Sequence, residues 1–323
     1  MRPNSASARH VGAGIGSRAG RRAIAIALLV VWLSPSASFR QADVRTRLEA
    51  MIAASGAEAV AVAYYDFATG EEILLRADDP FHAASTMKVP VMMEVFRQAQ
   101  EGRLSLDDHL IVKNEFRSLA DGSAFSLAVE NDADPALYER IGRAVPIREL
   151  VRAMIVRSSN LATNLLIERV TAARVQELME AIGASGMRVL RGVEDRRAFE
   201  RGLNNTTTAR ALLVIFRRLA EGRVVSPESC AEMVRILLDQ EFNDGIPAGL
   251  PASARVAHKT GAIHRIAHDA GIIYPSEGPP YVLIVLTRGI AEEQSANRLI
   301  AEISRLMYEH TLKQRAERIP QRQ

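Results

Sequence analysis

Hydrophobic positions repeat with two different periods along this chain of 323 residues. A period of two near both ends indicates strands at 59–66, 72–76, 254–260, 267–274 and 281–287. A period of about 3.6 residues indicates helices at 41–53, 86–101, 146–157, 160–169, 172–183, 206–222, 226–239 and 292–314. Strands therefore lie toward both ends of the chain, and helices fill its middle.

This order of elements predicts an α/β plus all-α fold. We expect the terminal strands to form one antiparallel sheet flanked by the terminal helices, with the central helices inserted as a separate lobe. The expected divisions are an export signal at 1–38, a discontinuous α/β sheet domain at 39–84 and 250–315, a helical domain at 85–249 and a tail at 316–323. A cleft between the two lobes is the natural place for a site.

The N-terminal residues are typical of an export signal. Arg21 and Arg22 precede eleven apolar residues at 23–33, and small residues follow at 34–38. A transmembrane helix needs about 20 apolar residues, so this run is too short to span a bilayer. We expect a periplasmic or secreted protein with no stable membrane insertion after signal removal. An uncleaved anchor is the alternative, and the arginine pair leaves Sec and twin-arginine export both open.

Net charge excludes nucleic acid as a partner. The formal charge is +3, but residues 1–38 hold five arginines and no acidic residue, so the remainder carries about −2. Cys230 is the one cysteine, which excludes an intrachain disulfide framework and a cysteine-rich metal site. We expect a monomer that acts on a small-molecule substrate and needs no cofactor or metal.

Lysine is scarce in this chain, which makes each lysine a candidate for chemistry. Of the 41 basic residues, only Lys88, Lys113, Lys259 and Lys313 are lysines, and the other 37 are arginines. Either residue supplies a positive surface charge. Arginine cannot give up its proton, because its pKa lies above about 12, so a lysine is required wherever an amine acts as a base.

Ser85 and Lys88 form the first candidate motif, Ser-x-x-Lys, at the start of a predicted helix. A spacing of three residues places both side chains on one helical face, within possible hydrogen-bond reach. Lysine with a depressed pKa can take the proton of a serine hydroxyl and make it a nucleophile. Backbone N–H groups at a helix N-terminus can also stabilise an oxyanion.

Two further triplets carry hydroxyl, amide and ammonium groups. Ser158-Ser159-Asn160 lies between two predicted helices, where a hydroxyl can pass a proton and an amide can bind a carbonyl. Lys259-Thr260-Gly261 ends a predicted strand. Lysine and threonine there can hold an anionic group, and glycine lets a substrate lie close to the strand. Each triplet alone is also compatible with a helix cap or an ordinary strand end.

In this order and on these elements, the three motifs resemble those of the penicillin-recognising serine hydrolases, and among them the class A β-lactamases. The surrounding stretches MIVRSSNLATNLLI, NNTTTARAL and HDAGIIYP agree, and the resemblance covers about residues 40 to 310. It implies a β-lactamase/transpeptidase-like fold and hydrolysis of a β-lactam amide through an acyl-serine intermediate.

The resemblance also implies a role for each matching residue. Ser85 would be the acylated nucleophile, Lys88 part of its activation, and Ser158 the proton relay to the β-lactam nitrogen. Glu194, on a loop, would be the general base of deacylation. The residues implied to bind substrate or to form the oxyanion hole are Asn160, Lys259, Thr260, Gly261 and Ala262, with the N–H of Ser85 completing the oxyanion hole.

The chain departs from the family pattern at several positions. Ser159 stands where the family usually has aspartate, and the segment 131–146 looks like an insertion near the site. Four residues after Glu194, where the family places an asparagine that helps hold the deacylating water, stands Ala198. Asp195 therefore remains an alternative base, and a solvated charge run remains a third interpretation. A weak base would give acylation without turnover.

The alternatives on function follow from these departures. A related penicillin-binding, D,D-peptidase-like or esterase-like hydrolase would acylate and then deacylate slowly on β-lactams. A non-catalytic cell-wall-sensing domain is the remaining hypothesis. Arg265 is either a second contact to a substrate carboxylate or a surface loop residue. His258 could pair with the serine, but we expect it to point away from Lys259.

Overall fold

The structure is a computed structural model that describes residues 35–318, with side chains described at 42–317. The predicted export segment 1–38 lies outside the described residues, apart from its last four, which begin the first helix. The strands are β1 Ala59–Asp66, β2 Glu72–Leu75, β3 Phe81–His82, β4 His109–Ile111, β5 Phe116–Arg117, β6 Ala124–Phe125, β7 Ala144–Pro146, β8 Thr206–Thr207, β9 Arg255–Ile263, β10 Ile266–Tyr274 and β11 Tyr281–Arg288. The α-helices are α1 Pro35–Ala54, α2 Lys88–Gln100, α3 Ile147–Val156, α4 Asn160–Val170, α5 Ala172–Ala181, α6 Arg196–Glu200, α7 Ala209–Ala220, α8 Pro227–Leu238 and α9 Glu293–Arg318.

The five long strands form one antiparallel sheet with the order β2-β1-β11-β10-β9. Strands from the two ends of the sequence meet in its centre, where β1 pairs with β11. The predicted sheet and its flanking terminal helices are therefore confirmed. Strand β9, which carries Lys259-Thr260-Gly261, lies at one edge of the sheet.

Strand β1 shows how the sheet joins two cores. One face contributes small residues to the core that includes the central helices, namely Ala59, Ala61 and Ala63. The other face contributes large residues to the core formed with α1 and α9, namely Val60, Val62 and Tyr64. Because side chains alternate across a strand, one sequence of eight residues serves both layers. The small face lets α7 lie directly against β1 and β11.

The predicted helix 206–222 is wrong at its start. Thr206 and Thr207 form β8, which pairs with β3, and α7 begins at Ala209. The side chain of Thr208 accepts a hydrogen bond from the N–H of Ala211 at 3.1 Å, so this threonine caps the helix and ends the strand. β-branched threonines favour a strand, and their hydroxyls favour the cap.

The segment 131–146, which looks like an insertion in the sequence, is ordered around the N-terminus of α4. It contains a 3₁₀ segment at Pro135–Arg140 and strand β7, which pairs with β4. Leu137 and Val145 anchor it in the core of the helical lobe.

Among residues 35–318, none of the helices combines the length and the apolar character that a membrane span requires.

The small face of β1 generates a stability prediction. Replacing Ala61, which is fully buried, by leucine inserts three carbons between the sheet and α7. Overpacking of this kind costs about 1–3 kcal/mol of the free energy of unfolding. Urea denaturation of Ala61→Leu measures it, with Arg45→Ala, at an exposed pair with Glu49, as the control. Equal unfolding free energies for Ala61→Leu and wild type would show that the layers are not closely packed.

Candidate active site

Ser85 lies in a short 3₁₀ segment, Ala84–Met87, that leads directly into α2. This segment packs against β9 at Gly261, where a Cβ would lie only 3.0 Å from the N atom of Ser85. Glycine therefore suits this position, because a side chain would make an unusually tight contact with the backbone of the Ser85 segment and one of the two would have to move. The Ser85 hydroxyl has no hydrogen-bond partner among the described residues, and its side chain is partly exposed in the cleft.

Lys88 is the first residue of α2 and is completely buried. Its Nζ donates to the carbonyl O of Ser158 at 2.6 Å, to Oδ1 of Asn160 at 2.8 Å and to Oγ of Ser158 at 3.1 Å. All three N–H donors of the ammonium are thus used in hydrogen bonds to residues at the start of α4. The predicted side-by-side placement of Ser85 and Lys88 does not take the form of a hydrogen bond between them.

Lys259 reaches the same point from the sheet. It is completely buried, and its Nζ donates to Oγ of Ser158 at 3.1 Å and to the carbonyl O of Thr260 at 3.0 Å. A single hydroxyl, that of Ser158, therefore contacts both buried lysines. Two of the four lysines in the sequence thus converge on the serine of the second motif.

Burial makes the charged form of both amines unfavourable. It lowers the pKa of Lys88 well below the usual 10.5, and the neighbouring charge of Lys259 lowers it further, against the opposing charges of Asp132 and Glu194. Burial also lowers the pKa of Lys259 to about 7, against the opposing charge of Asp269. Two ammonium groups on one hydroxyl repel each other, so this arrangement favours a neutral amine at one of them.

The Ser158-Ser159-Asn160 motif forms the N-terminus of α4. Ser158 has a positive φ of 58°, a left-handed conformation that turns its hydroxyl and carbonyl toward the lysines. Ser159 is the N-cap, and its hydroxyl accepts from the N–H of Ala162 at 3.2 Å. The cap in the middle of the motif leaves the two flanking side chains to face the site.

Asn160 connects Lys88 to Glu194. While its Oδ1 accepts from Lys88, its Nδ2 donates to Oε1 of Glu194 at 2.6 Å. Glu194 is half-buried at a positive φ of 60° and lines the same cleft as Ser85. Burial raises the pKa of Glu194, and the hydrogen bond from Asn160 partly opposes this. The structure brings Glu194 to the site, whereas a solvated charge run would point to solvent.

Asp195 also borders the cleft, but its carboxylate is engaged by the loop that precedes β6. Its buried carboxylate accepts from the hydroxyl of Ser118 at 2.7 Å, from the N–H of Leu119 at 2.8 Å and from the N–H of Ala198 at 3.1 Å. It is thus the N-cap of α6, and it connects its own loop to the loop that contains Ser118 and Leu119. Ala198 is fully buried and is not among the residues lining the cleft.

Two contributing residues are absent from the sequence prediction. Asn164 receives the N–H of Val193 at 2.7 Å and donates to its carbonyl at 3.0 Å, which fixes the backbone next to Glu194. Its spacing of four residues from Asn160 on one helix is a signal that could have revealed it. Asp132 accepts from the N–H of Asn160 at 2.9 Å, and no local pattern in the sequence marks it.

Thr260, Gly261 and Ala262 line the cleft on the β9 side, opposite Ser158 and Asn160. A substrate held there would lie between the edge strand β9 and the start of α4, next to Ser85. No group of three His, Cys, Asp or Glu residues among residues 35–318 could hold a metal ion.

His258 and Arg265 take no part in this constellation. The ring of His258 is buried, with Nδ1 2.8 Å from Oδ1 of Asp269 and Nε2 3.3 Å from Oδ1 of Asn243. Arg265 lies in the turn between β9 and β10, where its guanidinium donates to Glu58 at 2.9 Å and to the carbonyl of Gly289 at 2.7 Å. Arg265 is therefore a surface loop residue, and the carboxylate-binding interpretation is not supported.

Comparison with known proteins gives matches over most of the chain. A family profile described as a beta-lactamase enzyme family matches residues 43–311. A beta-lactamase of Streptomyces fradiae is 29% identical over 285 residues, covering 84% of this chain and 87% of that protein. Beta-lactamase L2 of Stenotrophomonas maltophilia is 29% identical over 252 residues, covering 76% and 78%.

Solved structures agree with the sequence matches. The crystal structure of a beta-lactamase from Sphaerobacter thermophilus has a TM-score of 0.72 and 26% identity, covering 86% of this chain and 98% of that one. A variant of PBP-A, solved as an acyl-enzyme complex with penicillin G, has a TM-score of 0.71 and 26% identity, covering 84% and 97%. The fold is that of the serine beta-lactamases, and the chain belongs to the beta-lactamase enzyme family.

Proposed function

We propose that this protein hydrolyses the amide of β-lactams through an acyl intermediate on Ser85. The observation that carries the proposal is the convergence of two buried lysines on the hydroxyl of Ser158, beside a serine whose own hydroxyl has no hydrogen-bond partner among the described residues. Family membership and the named activities of the relatives support the same reaction class.

In acylation, Lys88 acts as the base in its neutral form. A neutral amine keeps two N–H donors, enough for its two shortest contacts, the Ser158 carbonyl and Asn160 Oδ1. Its lone pair then accepts the Ser85 proton as the Ser85 Oγ–carbon bond forms. The proton passes to Ser158 Oγ and on to the β-lactam nitrogen as the carbon–nitrogen bond breaks.

Both walls of the cleft take part in substrate binding. Lys259 and Thr260 hold the substrate carboxylate, and the amide of Asn160 holds a side-chain carbonyl. The N–H groups of Ser85 and Ala262 form the oxyanion hole, which the close approach of Gly261 to Ser85 makes narrow. Binding an anion next to Lys259 favours its ammonium form and so opposes the effect of burial.

In deacylation, Glu194 takes a proton from a water molecule that attacks the acyl carbon, and the Ser85 Oγ–carbon bond breaks with a proton returning to Ser85. The position of Glu194 in the cleft supports this assignment over Asp195, whose carboxylate is occupied by Ser118, Leu119 and Ala198. We further propose that the protein is exported through residues 1–38 and acts as a monomer in the periplasm or outside the cell.

A second candidate function is penicillin-binding behaviour with slow deacylation. The buried alanine at position 198 supports it, because no side-chain amide reaches the cleft from there to hold a water molecule. The likeness to PBP-A points the same way. Intact mass measured over time with a penicillin separates the two, since a hydrolase shows a transient adduct and a penicillin-binding protein a lasting one.

Lys88→Arg tests the base of acylation. Arginine keeps the positive charge but cannot accept a proton, so the acylation rate is expected to fall by roughly 10²- to 10⁴-fold. Stopped-flow with a chromogenic cephalosporin measures it. The control is Lys113→Arg, at an exposed lysine paired with Glu168, which is expected to react like wild type. Wild-type acylation by Lys88→Arg would remove Lys88 from the mechanism.

Glu194→Gln tests the base of deacylation. Glutamine cannot accept the proton of water, so acylation proceeds while deacylation slows by roughly 10²-fold or more. Intact mass spectrometry should show a penicillin adduct that outlasts the wild-type adduct. Glu200→Gln, at an exposed glutamate in the neighbouring helix α6 paired with Arg196, is the control and should release the adduct normally. Normal turnover by Glu194→Gln would mean that another group activates water.

The pH dependence of kcat follows from Glu194. Its protonated form cannot accept a proton, so deacylation is lost as the pH falls through the pKa of this carboxyl. Burial raises that pKa above the usual 4.5, so the acidic limb of kcat is expected at a higher pH than an exposed glutamate would give. A limb at or below pH 4.5, or one that persists in Glu194→Gln, contradicts the assignment.

A further inference from the structure

Asp132 is a buried carboxylate beside the active site that belongs to none of the three motifs. It follows a short 3₁₀ segment at Val129–Asn131, and its side chain is only 7% exposed. Its neighbours in sequence, Asn131 and Ala133, are exposed and line the cleft. The residue thus lies in a segment with one side in the cleft and one side against the helical lobe.

The carboxylate of Asp132 is surrounded by donors from the start of α4. Its Oδ2 accepts from the N–H of Asn160 at 2.9 Å and from the N–H of Leu161 at 2.8 Å. The hydroxyl of Ser159 lies at 3.5 Å from the same oxygen, and the hydroxyl of Tyr138 donates to it at 3.1 Å. A buried charge is tolerated here because its lone pairs are used.

These contacts complete the N-terminus of α4. The first N–H groups of a helix have no partner within the helix. The Ser159 hydroxyl accepts from the N–H of Ala162, and the Asp132 carboxylate accepts from the N–H groups of the two preceding residues, Asn160 and Leu161. A negative charge at this end also interacts favourably with the helix dipole.

The same end of α4 positions the chemistry. Ser158, just before it, is held in a left-handed conformation that residues other than glycine adopt at a cost, so surrounding contacts must enforce it. Through the Ser158 carbonyl and hydroxyl and the Asn160 amide, this end contacts Lys88, Lys259 and Glu194. Movement of the start of α4 would disturb all of these contacts together.

We propose that Asp132 is a positioning residue for catalysis, supplying from a neighbouring loop the carboxylate that fixes Ser158 and Asn160 at the start of α4. This rests on the proposed function of the site. The middle residue of the motif, Ser159, is compatible with it because an uncharged hydroxyl can lie 3.5 Å from the Asp132 carboxylate. A carboxylate at position 159 would instead face a like charge in a buried setting.

The charge of Asp132 also acts on the reacting groups. It raises the pKa of Lys88 against the effect of burial, and it raises the pKa of Glu194. Removing the charge should therefore lower the pKa of Glu194. A residue with a purely structural role would reduce activity without such a shift in the pH profile.

A swap of the two side chains tests the proposal. Asp132→Ser removes the carboxylate, and Ser159→Asp places a second one beside it, so each alone should lower kcat by roughly 10- to 100-fold. The double variant Asp132→Ser/Ser159→Asp again has one carboxylate at the N-terminus of α4, now from the N-cap itself. It should return kcat with a chromogenic cephalosporin to within roughly fivefold of wild type, a non-additive result expected only for directly interacting sites.

The matched control is Asp134→Asn. Asp134 is a buried carboxylate of the same segment, but it pairs with Arg157 at 3.0 Å, and within the described part of the chain its side chain makes no hydrogen bond to α4. It is expected to change stability more than kcat. The isosteric Asp132→Asn supplies the second readout, since its acidic limb of kcat should move to lower pH. Additive losses in the double variant, or an unmoved limb in Asp132→Asn, overturn the proposal.

The same variants separate failure of this inference from failure of the proposed function. If wild type forms no adduct with any penicillin, the proposed function is wrong. The swap is then measured by the free energy of unfolding in urea, where the double variant should recover most of the stability that each single variant loses. Absence of this recovery overturns the positioning role, whatever reaction the protein catalyses.

Discussion

Two buried lysines that contact one serine hydroxyl impose the constraint on which the rest of the site depends. Taking two ammonium groups out of water is costly unless each finds acceptors and opposing charge. The acceptors come from the start of α4, through the Ser158 carbonyl and the Asn160 amide, and from the Thr260 carbonyl. The opposing charges are the carboxylates of Asp132, Glu194 and Asp269. These acceptors and charges do not fully offset the cost of burial, so the pKa values of both lysines are lowered. An amine needs such a lowered pKa to act as a base near neutral pH.

The fold delivers these groups from separate parts of the chain. Lys88 comes from the first helix of the helical lobe, Ser158 from a junction between two of its helices, and Lys259 from the edge strand of the sheet. The sheet closes only when β11, from near the end of the chain, pairs with β1, from near its start. The site therefore forms only with the complete tertiary structure, and Gly261 sets how closely the strand approaches Ser85.

Much of this can be predicted from the sequence, because local patterns carry it. Residue periodicity locates the long strands and most helices within a few residues. The scarcity of lysine limits the candidate amines to four, and the motifs single out Lys88 and Lys259 among them. The remaining parts depend on contacts between distant segments. Asp132 lies 28 residues before Asn160 and has no periodic or motif signal, although it accepts from the first N–H groups of α4. Asp195 and Glu194 are adjacent and chemically alike, and only their backbone conformations direct one to a loop and the other to the cleft. A hydrogen bond between Ser85 and Lys88 does not follow from their spacing, because the start of α4 takes up the donors of the lysine.

The central claim is that burial depresses the pKa values of Lys88 and Lys259, and that the charge of Lys259 depresses the pKa of Lys88 further. With four lysines in the chain, NMR of protein labelled at the lysine side chains gives few signals, and Lys88→Arg and Lys259→Arg assign the two of interest. Titration of these signals measures both pKa values directly in the absence of substrate. The account predicts that Lys259 titrates near pH 7 and Lys88 well below 10.5. Titration of both residues near 10.5 would contradict it.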